Sequence, residues 1–277
     1  MTGPKGYLSF SLFTEIIDEI AERENIVLVP FFRGESLLHP RCIDMLAYAK
    51  EKGVGPIQFA TNGTLMTENI ARDLIDIEVD FVSFSVDSID PKDYRQIRKG
   101  ADLGSVLKNI EVLCNLKKTR GISKPEIQVS VVKTKNTYNG IEDFVNFWQQ
   151  RVDRVRVYEE HSKDGNFGSL DKAGDDAVCE KRRPCLKPFT DMVIYWNGCV
   201  ALCNHDWDKK YVIGDVNQSA ISEIWHNETY RKIREAHLGD GELDEVCKEC
   251  DHWRTYYRKE SLIGELYAGN SEMYTNA

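Results

Sequence analysis

IQFATNGTLMTENIARDLIDIEVDFVSFSVD, residues 57–87, holds the unit from which the rest of the chain can be read. Ile57–Ala60 is a short apolar strand, and Thr61-Asn62-Gly63 supplies the turn residues that end it. The Thr67 hydroxyl can accept from the first turn of a helix running to about Ile77. Asp80–Val86 is then the next strand. Strand, turn, capped helix and strand in so little chain make a βα unit, and such units build parallel sheets.

The same alternation extends both ways. Upstream, Ser9 can cap a helix over Phe10–Arg23, with Leu12, Phe13, Ile16, Ile17 and Ile20 on one face. Ile26–Phe32 is a continuous β-branched and aromatic run that reads as a buried parallel strand. Ile43–Lys52 is a helix stopped by Gly53. Downstream, Leu103–Lys118 and Ile141–Gln150 are helices, while Glu126–Val132 and Arg154–Tyr158 are strands. The fold class is therefore α/β, with a parallel sheet that is open or curled into a barrel. Between His161 and Arg183 the periodicity stops and Gly, Asp, Lys and Ser dominate, as in a linker. Beyond it come a β-like stretch at Met192–Trp196, a turn at Asn197-Gly198 and a helix around Ala220–His237. From Lys259 the tail reads as a short helix and a frayed end.

The 277 residues carry a formal charge of −9, which argues against a nucleic-acid partner because phosphate binding needs a Lys/Arg surplus. Lys181-Arg182-Arg183 reads as a solvated turn before Pro184. No apolar stretch approaches the roughly 20 residues of a membrane span, and the N-terminus lacks a signal pattern, so the expected location is the cytoplasm. Thiols stay reduced there, and eight cysteines then point to metal binding or catalysis rather than disulfides.

Those cysteines are unevenly spread. Cys247-x-x-Cys250 is a pair whose sulfurs a tight turn can bring to one side, and Cys203 and Cys185 can complete a four-thiolate set with it. Spacing alone suits a structural zinc as well as a [4Fe–4S] cluster. Cys42 and Cys114 fall on apolar helix faces and read as packing residues, Cys199 is ambiguous, and Cys179 lies in a polar stretch.

On these residues the chain resembles the radical S-adenosylmethionine (SAM) enzymes that carry a C-terminal SPASM-type auxiliary cluster domain. Cys185-x12-Gly198-x4-Cys203 matches the opening of the SPASM pattern, and Cys185-x2-Pro188-Phe189, Ile213-Gly214-Asp215-Val216, Ile224-Trp225 and Tyr230-x3-Arg234 accompany it. The later cysteines of the full pattern are missing, so the resemblance implies a single [4Fe–4S] auxiliary cluster on Cys185, Cys203, Cys247 and Cys250. In the first half, Arg33-Gly34-Glu35-Ser36-Leu37 resembles the family's Gly-Gly-Glu-Pro motif for the SAM amino group, with Arg and Ser replacing the first Gly and the Pro. A glycine admits the ligand to the backbone and a carboxylate neutralises its ammonium. Asn62 in Thr61-Asn62-Gly63, and Ser85 and Asp87 in Ser83-x-Ser85-x-Asp87, also sit where the family lines its SAM pocket. Arg98, Gly100 and Asn109 complete the resemblance.

The resemblance implies a partial (β/α)6 TIM-like barrel lacking its first strand, plus a small C-terminal Fe–S domain. The expected divisions are a barrel over 1–160, a linker over 161–184, a SPASM-type domain over 185–256 and a tail over 257–277. No CxxxCxxC motif, which would hold the SAM-cleaving cluster, occurs in the sequence. A truncated chain is the favoured explanation, ahead of a degenerate member or a strand supplied by another chain. The expected function is that of an oxidoreductase-type radical SAM/SPASM protein. Its substrate would be a peptide or a small molecule and its electrons would come from an external donor, while SAM cleavage is not expected from this chain alone. The rival reading is a non-catalytic Fe–S electron carrier or a zinc-binding protein.

Overall fold

The computed structural model describes residues 5–31, 33–160, 182–206, 210–250, 252–257 and 271–275. Two compact units emerge: Ile20–Tyr158 with Glu272–Ala277, and Met1–Glu19 with Glu159–Ser271.

The chain enters through α1 (Phe10–Ala21), which buries Leu12, Phe13, Ile16 and Ile17. The Ser9 hydroxyl accepts from Leu12 N at 3.2 Å, as a cap should. Next come α2 (Cys42–Glu51), β1 (Gln58–Thr61), α3 (Glu68–Asp76), β2 (Phe81–Ser85), α4 (Pro91–Ile97), α5 (Leu103–Arg120), β3 (Glu126–Lys133), α6 (Ile141–Trp148) and β4 (Arg154–Glu159). The first three strands pair in parallel, with Phe59, Val82 and Ile127 in register on one face and Ala60, Ser83 and Gln128 on the other. The first trio is almost wholly buried and forms the core. The second is polar, and Gln128 Nε2 donates to Ser83 Oγ at 3.0 Å. This alternation follows from the two-residue period of a strand.

Local chemistry sets the ends. Thr67 caps α3 through Ile70 N, Asp102 caps α5 through Ser105 N, and Gly121 ends α5 at φ 64°. Asp80 fixes the start of β1, because its Oδ2 accepts from Ile57 N at 2.9 Å and Lys50 Nζ at 3.1 Å while Oδ1 accepts from Lys124 Nζ at 2.6 Å.

Several expectations need correction. Residues 26–31 do not form a buried strand. They are extended and make one parallel bridge, Leu28 to Ile57, while Val27, Val29 and Phe31 stay 43–47 % exposed. Val27, Val29 and Phe31 alternate along the chain, so they share the face that meets solvent. Helix α4 was not anticipated, although Asp90-Pro91 is a cap followed by a first-position proline, and Asp90 Oδ1 does accept from Lys92 N and Asp93 N.

The other unit contains α7 (Lys187–Thr190), β5 (Val193–Ile194), β6 (Cys199–Ala201), β7 (Val212–Asp215), α8 (Ile221–Trp225), α9 (Glu228–Leu238) and α10 (Glu245–Glu249). Its sheet is antiparallel, β5–β6–β7. The helix expected over Ala220–His237 is two helices. Asn227 starts the second by accepting from Tyr230 N at 2.8 Å, and its Nδ2 donates to Ile213 O at 3.0 Å. By contacts, residues 1–19 group with this unit. Glu19 accepts from Ile221 N and Ser222 N at 2.7 and 2.8 Å, and a Cβ on Gly6 would fall 2.3 Å from the Trp196 ring. The short helix expected from Lys259 lies outside the described residues. The expected frayed end is β8 (Ser271–Thr275), which follows β4 in the sheet order β1-β2-β3-β4-β8.

Asp80 generates a pH prediction. Burial pushes its carboxyl up, but hydrogen bonds from Lys124, Ile57 N and Lys50 outweigh this and bring it to about 2. A lowered folded value stabilises above the ordinary value of 3.8 and is lost as pH falls through 2. In thermal unfolding, wild type is expected to exceed Asp80→Asn by about 1–3 kcal/mol at neutral pH. That advantage should shrink between roughly pH 4 and pH 2.

Candidate metal centre

Cys185, Cys203, Cys247 and Cys250 come from three segments of one unit. Cys185 leads into α7, Cys203 follows β6, and Cys247 and Cys250 sit in and directly after α10. None of the four forms a disulfide. Burial, then the charges of Cys203, Cys185 and Cys250, push the Cys247 thiol up. Cys185 is pushed up to about 12 by burial, with Cys203 and Cys250 adding to the rise. Charge on Cys203 or Cys250 thus makes ionisation of Cys185 and of Cys247 more costly. The four share one electrostatic neighbourhood.

Each segment is held by contacts that the cysteines do not make themselves. Gly198 lies at φ 89°, and a Cβ there would meet Asn217 Nδ2 at 2.0 Å, so the turn before β6 requires glycine. A Cβ on Gly214 would fall 2.9 Å from Ile224 Cγ2, so the glycine lets β7 lie against α8. Arg234 joins α9 to two other segments: Nε donates to Pro188 O at 2.8 Å and Nη1 to Trp225 O at 2.7 Å. Its guanidinium also lies over the Trp225 and Tyr230 rings at 4.3 and 4.6 Å. Asp244 caps α10 through Val246 N, and Arg182 Nη1 donates to Cys250 O at 3.1 Å. Arg182 is therefore an anchor of the CxxC turn, not the solvated turn residue expected.

Several neighbours partly offset the burial that disfavours charged sulfur. The backbone N–H of His205 donates to Cys203 Sγ at 3.4 Å. Lys187 is 3 % exposed, pairs with Asp191 at 2.8 Å, and its charge draws the Cys185 and Cys203 thiols down against the larger effect of burial. Arg182 acts likewise on Cys247. His237 is buried, and Cys185 N donates to its Nδ1 at 3.4 Å, which places the ring proton of the neutral form on Nε2. Burial and the nearby Arg182 charge lower the His237 value to about 4. Sequence reasoning missed Lys187, His237 and Arg182, none of which carries a local signal. Among the described residues, no three His, Cys, Asp or Glu side chains are placed to hold a single ion. Cys42 and Cys114 stand apart, pushed up by burial to about 12 and 11. Cys199 accepts from Asn197 Nδ2 at the hairpin turn. Cys179 lies outside the described residues.

The second set, Gly34, Glu35, Asn62, Ser85 and Asp87, lies at the C-terminal ends of the strands in the sheet unit. Glu35 Oε1 accepts from Thr61 Oγ1 at 2.7 Å and Leu37 N at 3.2 Å, and Oε2 accepts from Asn62 N at 2.7 Å. Asn62 Oδ1 closes a turn with Thr64 N and Oγ1. A Cβ on Gly34 would meet nothing within 4 Å, so that backbone is open to a ligand. Ser85 pairs in register with Ser130. Asp87, at φ 68°, has Oδ1 bonded by Val132 N at 3.0 Å and Oδ2 paired with Arg98 at 2.5 Å. Both of its oxygens serve the strand ends.

Comparison with known proteins completes the description. Residues 1–147 match the profile of the Radical SAM superfamily, and residues 185–251 match SPASM, an iron–sulfur cluster-binding domain. A tungsten-containing aldehyde ferredoxin oxidoreductase cofactor-modifying protein of Pyrococcus furiosus is 25% identical over 271 residues, covering 83% of this chain and 76% of that protein. Among solved structures, Streptococcus suis SuiB bound to precursor peptide SuiA superposes with a TM-score of 0.68 at 13% identity, over 92% of this chain and 65% of that one. BtrN in complex with AdoMet and 2-DOIA gives 0.52 at 17% identity, over 90% and 82%. These structural likenesses show a shared fold.

Arg234→Lys is expected to lower stability by about 1–3 kcal/mol, since an ammonium cannot reproduce a planar two-carbonyl clamp. Thermal melting followed by tryptophan fluorescence checks this. An unchanged midpoint would remove Arg234 from the scaffold.

Proposed function

The chain belongs to the radical SAM superfamily and carries a SPASM domain, and on that premise we propose that it is an oxidoreductase-type radical SAM/SPASM protein acting on a peptide or a small molecule. The family implies iron–sulfur clusters and SAM as its cofactors. Cys185, Cys203, Cys247 and Cys250 would hold one auxiliary [4Fe–4S] cluster. When bound, the cluster supplies one-electron transfer and SAM supplies the source of a hydrogen-abstracting radical.

One observation carries this reading: four half-buried thiols from three segments lie in one unit, where the charges of Lys187 and Arg182 act on them. The donor set fits an iron–sulfur cluster, because it is all sulfur and sits in a desolvated place where thiolates need a positive centre.

The rest of the chain would bind and orient. Gly34 and Glu35 would receive the SAM amino group, since three donors leave the Glu35 carboxylate one lone-pair direction for an ammonium. Asn62 and Ser85 would line the same strand edge, and Asp87 would keep that edge in register. Reaction at strand C-termini is the usual arrangement in parallel α/β folds. The substrate would be a peptide or a small molecule, classes represented by SuiA for SuiB and 2-DOIA for BtrN. An external donor would supply electrons. No helix among the described residues is long and apolar enough to cross a membrane.

Anaerobic purification tests the assignment. The wild-type chain should be brown, with about four irons and matching sulfide. Serine at any of Cys185, Cys203, Cys247 or Cys250 should cut the iron severalfold, and serine at Cys42 or Cys114 should leave it unchanged. A colourless protein with one tightly held zinc would overturn the cluster. Incubation with SAM and dithionite is expected to give no 5′-deoxyadenosine above background, as no CxxxCxxC motif is present in this sequence.

A further inference from the structure

Two short strings in the C-terminal unit share one form, Cys203-Asn204-His205 and Cys250-Asp251-His252. Each sets a histidine two residues after a proposed ligand, in a different segment of the chain. The structure brings the two rings together, with centroids 3.9 Å apart and planes 37° from one another. His252 is buried, and the Tyr256 ring meets it in a T-shaped contact at 5.7 Å. The loop after Cys203 is thereby joined to the turn after the CxxC pair.

That loop carries a contact to sulfur, because the backbone N–H of His205 donates to Cys203 Sγ at 3.4 Å. A backbone donor points only where its loop points it, so whatever holds the loop holds the hydrogen bond. Beyond His205 the loop is held by Asp206, which is 2 % exposed. Its Oδ1 and Oδ2 accept from Lys210 N and Tyr211 N at 3.0 and 2.9 Å, and its own N–H donates to Cys203 O at 3.3 Å. At His205 itself the printed side-chain contact is the ring of His252. A neutral thiol accepts weakly, whereas a metal-bound thiolate is a charged and stronger acceptor.

We propose that His252, through its ring contact with His205, keeps the His205 N–H aimed at Cys203 Sγ and thereby raises the reduction potential of the cluster. The proposal rests on the cluster assignment above. Reduction adds negative charge that the ligating sulfurs share, and an N–H dipole directed at one of them stabilises the reduced form more than the oxidised. His252 is then a positioning residue, since it acts on sulfur through His205. A ring that only kept water away would have the opposite consequence. Water admitted by its removal stabilises the more highly charged reduced form and raises the potential.

The test is a potentiometric titration of the anaerobically prepared chain, with wild type, His252→Phe and His252→Ala compared by electron paramagnetic resonance and dithionite supplying the electron. Iron and sulfide are measured in parallel, at about pH 8.5, well above the ordinary imidazole value. In His252→Ala the oxidised-to-reduced ratio at a fixed potential should rise about tenfold, a drop of about 59 mV for a one-electron couple. His252→Phe keeps a flat ring and should match wild type. An unchanged or raised midpoint in fully loaded His252→Ala would overturn the proposal and leave the cluster assignment intact, as would an equal drop in His252→Phe. Absence of iron from wild type would instead overturn that assignment. Loss of iron from a folded His252→Ala protein would show that the stack serves assembly, which also defeats the proposal. Should alanine prevent folding, His252→Leu, which fills the space without a flat ring, takes its place with the same expected drop. The hydrogen bond itself is read in His252→Phe grown on histidine labelled with nitrogen-15 at the amino group. Pulsed resonance of its reduced cluster should show a coupled nitrogen-15, and none would remove the His205 donor.

Discussion

Four thiols buried together cannot all ionise in a low-dielectric interior without a compensating positive centre. Desolvation opposes each negative charge, and every thiolate opposes the next. The C-terminal unit is arranged around that constraint. Its polar groups hold three separate segments in place while its cations, Lys187 and Arg182, lower the cost of charge on sulfur. A unit with so small an apolar core gains cohesion when a multivalent centre ties those segments together. The retained glycines have the same logic, since Gly198 and Gly214 remove side chains that would push the segments apart.

The sheet unit meets a different demand, that strand ends be fixed and still present open backbone. It does so with carboxylates that accept from the main chain of other segments. Asp80 holds the beginning of β1, Glu35 links its own turn to Thr61 and Asn62, and Asp87 ties the end of β2 to Val132 and Arg98. Each carboxylate replaces a hydration shell with oriented donors, so its burial is compensated. Gly34 remains uncovered beside Glu35, at the edge where ligands of parallel sheets bind.

Much of this was legible in residue order. Apolar runs bounded by turn residues located β1 to β4, and Thr67 and Asp102 marked helix starts because a short oxygen-bearing side chain satisfies first-turn amides. The cysteine spacings singled out the proposed ligand set for a similarly local reason. Legibility failed where the deciding partner was distant. Ile26–Phe32 has the composition of an interior strand, but burial depends on which neighbours pair, and the described pairing is on one side. The helix read over Ala220–His237 breaks because Asn227 serves Ile213, fourteen residues away, as well as Tyr230. Arg182 passed for a surface charge, since nothing near it announces the Cys250 carbonyl.

By itself, then, the sequence determined the α/β alternation and the family, and it singled out the four cysteines proposed as ligands. These rest on short-range periodicity, capping chemistry and fixed spacings, all of which are properties of contiguous chain. Only the tertiary structure decided that Glu19 of the first helix accepts from Ile221 N and Ser222 N, that Arg234 clamps Pro188 and Trp225, and that Arg182 reaches the Cys250 carbonyl. Those are long-range contacts of polar groups. Their energy comes from being desolvated and paired at the same time, and that condition exists only once the chain has closed around them.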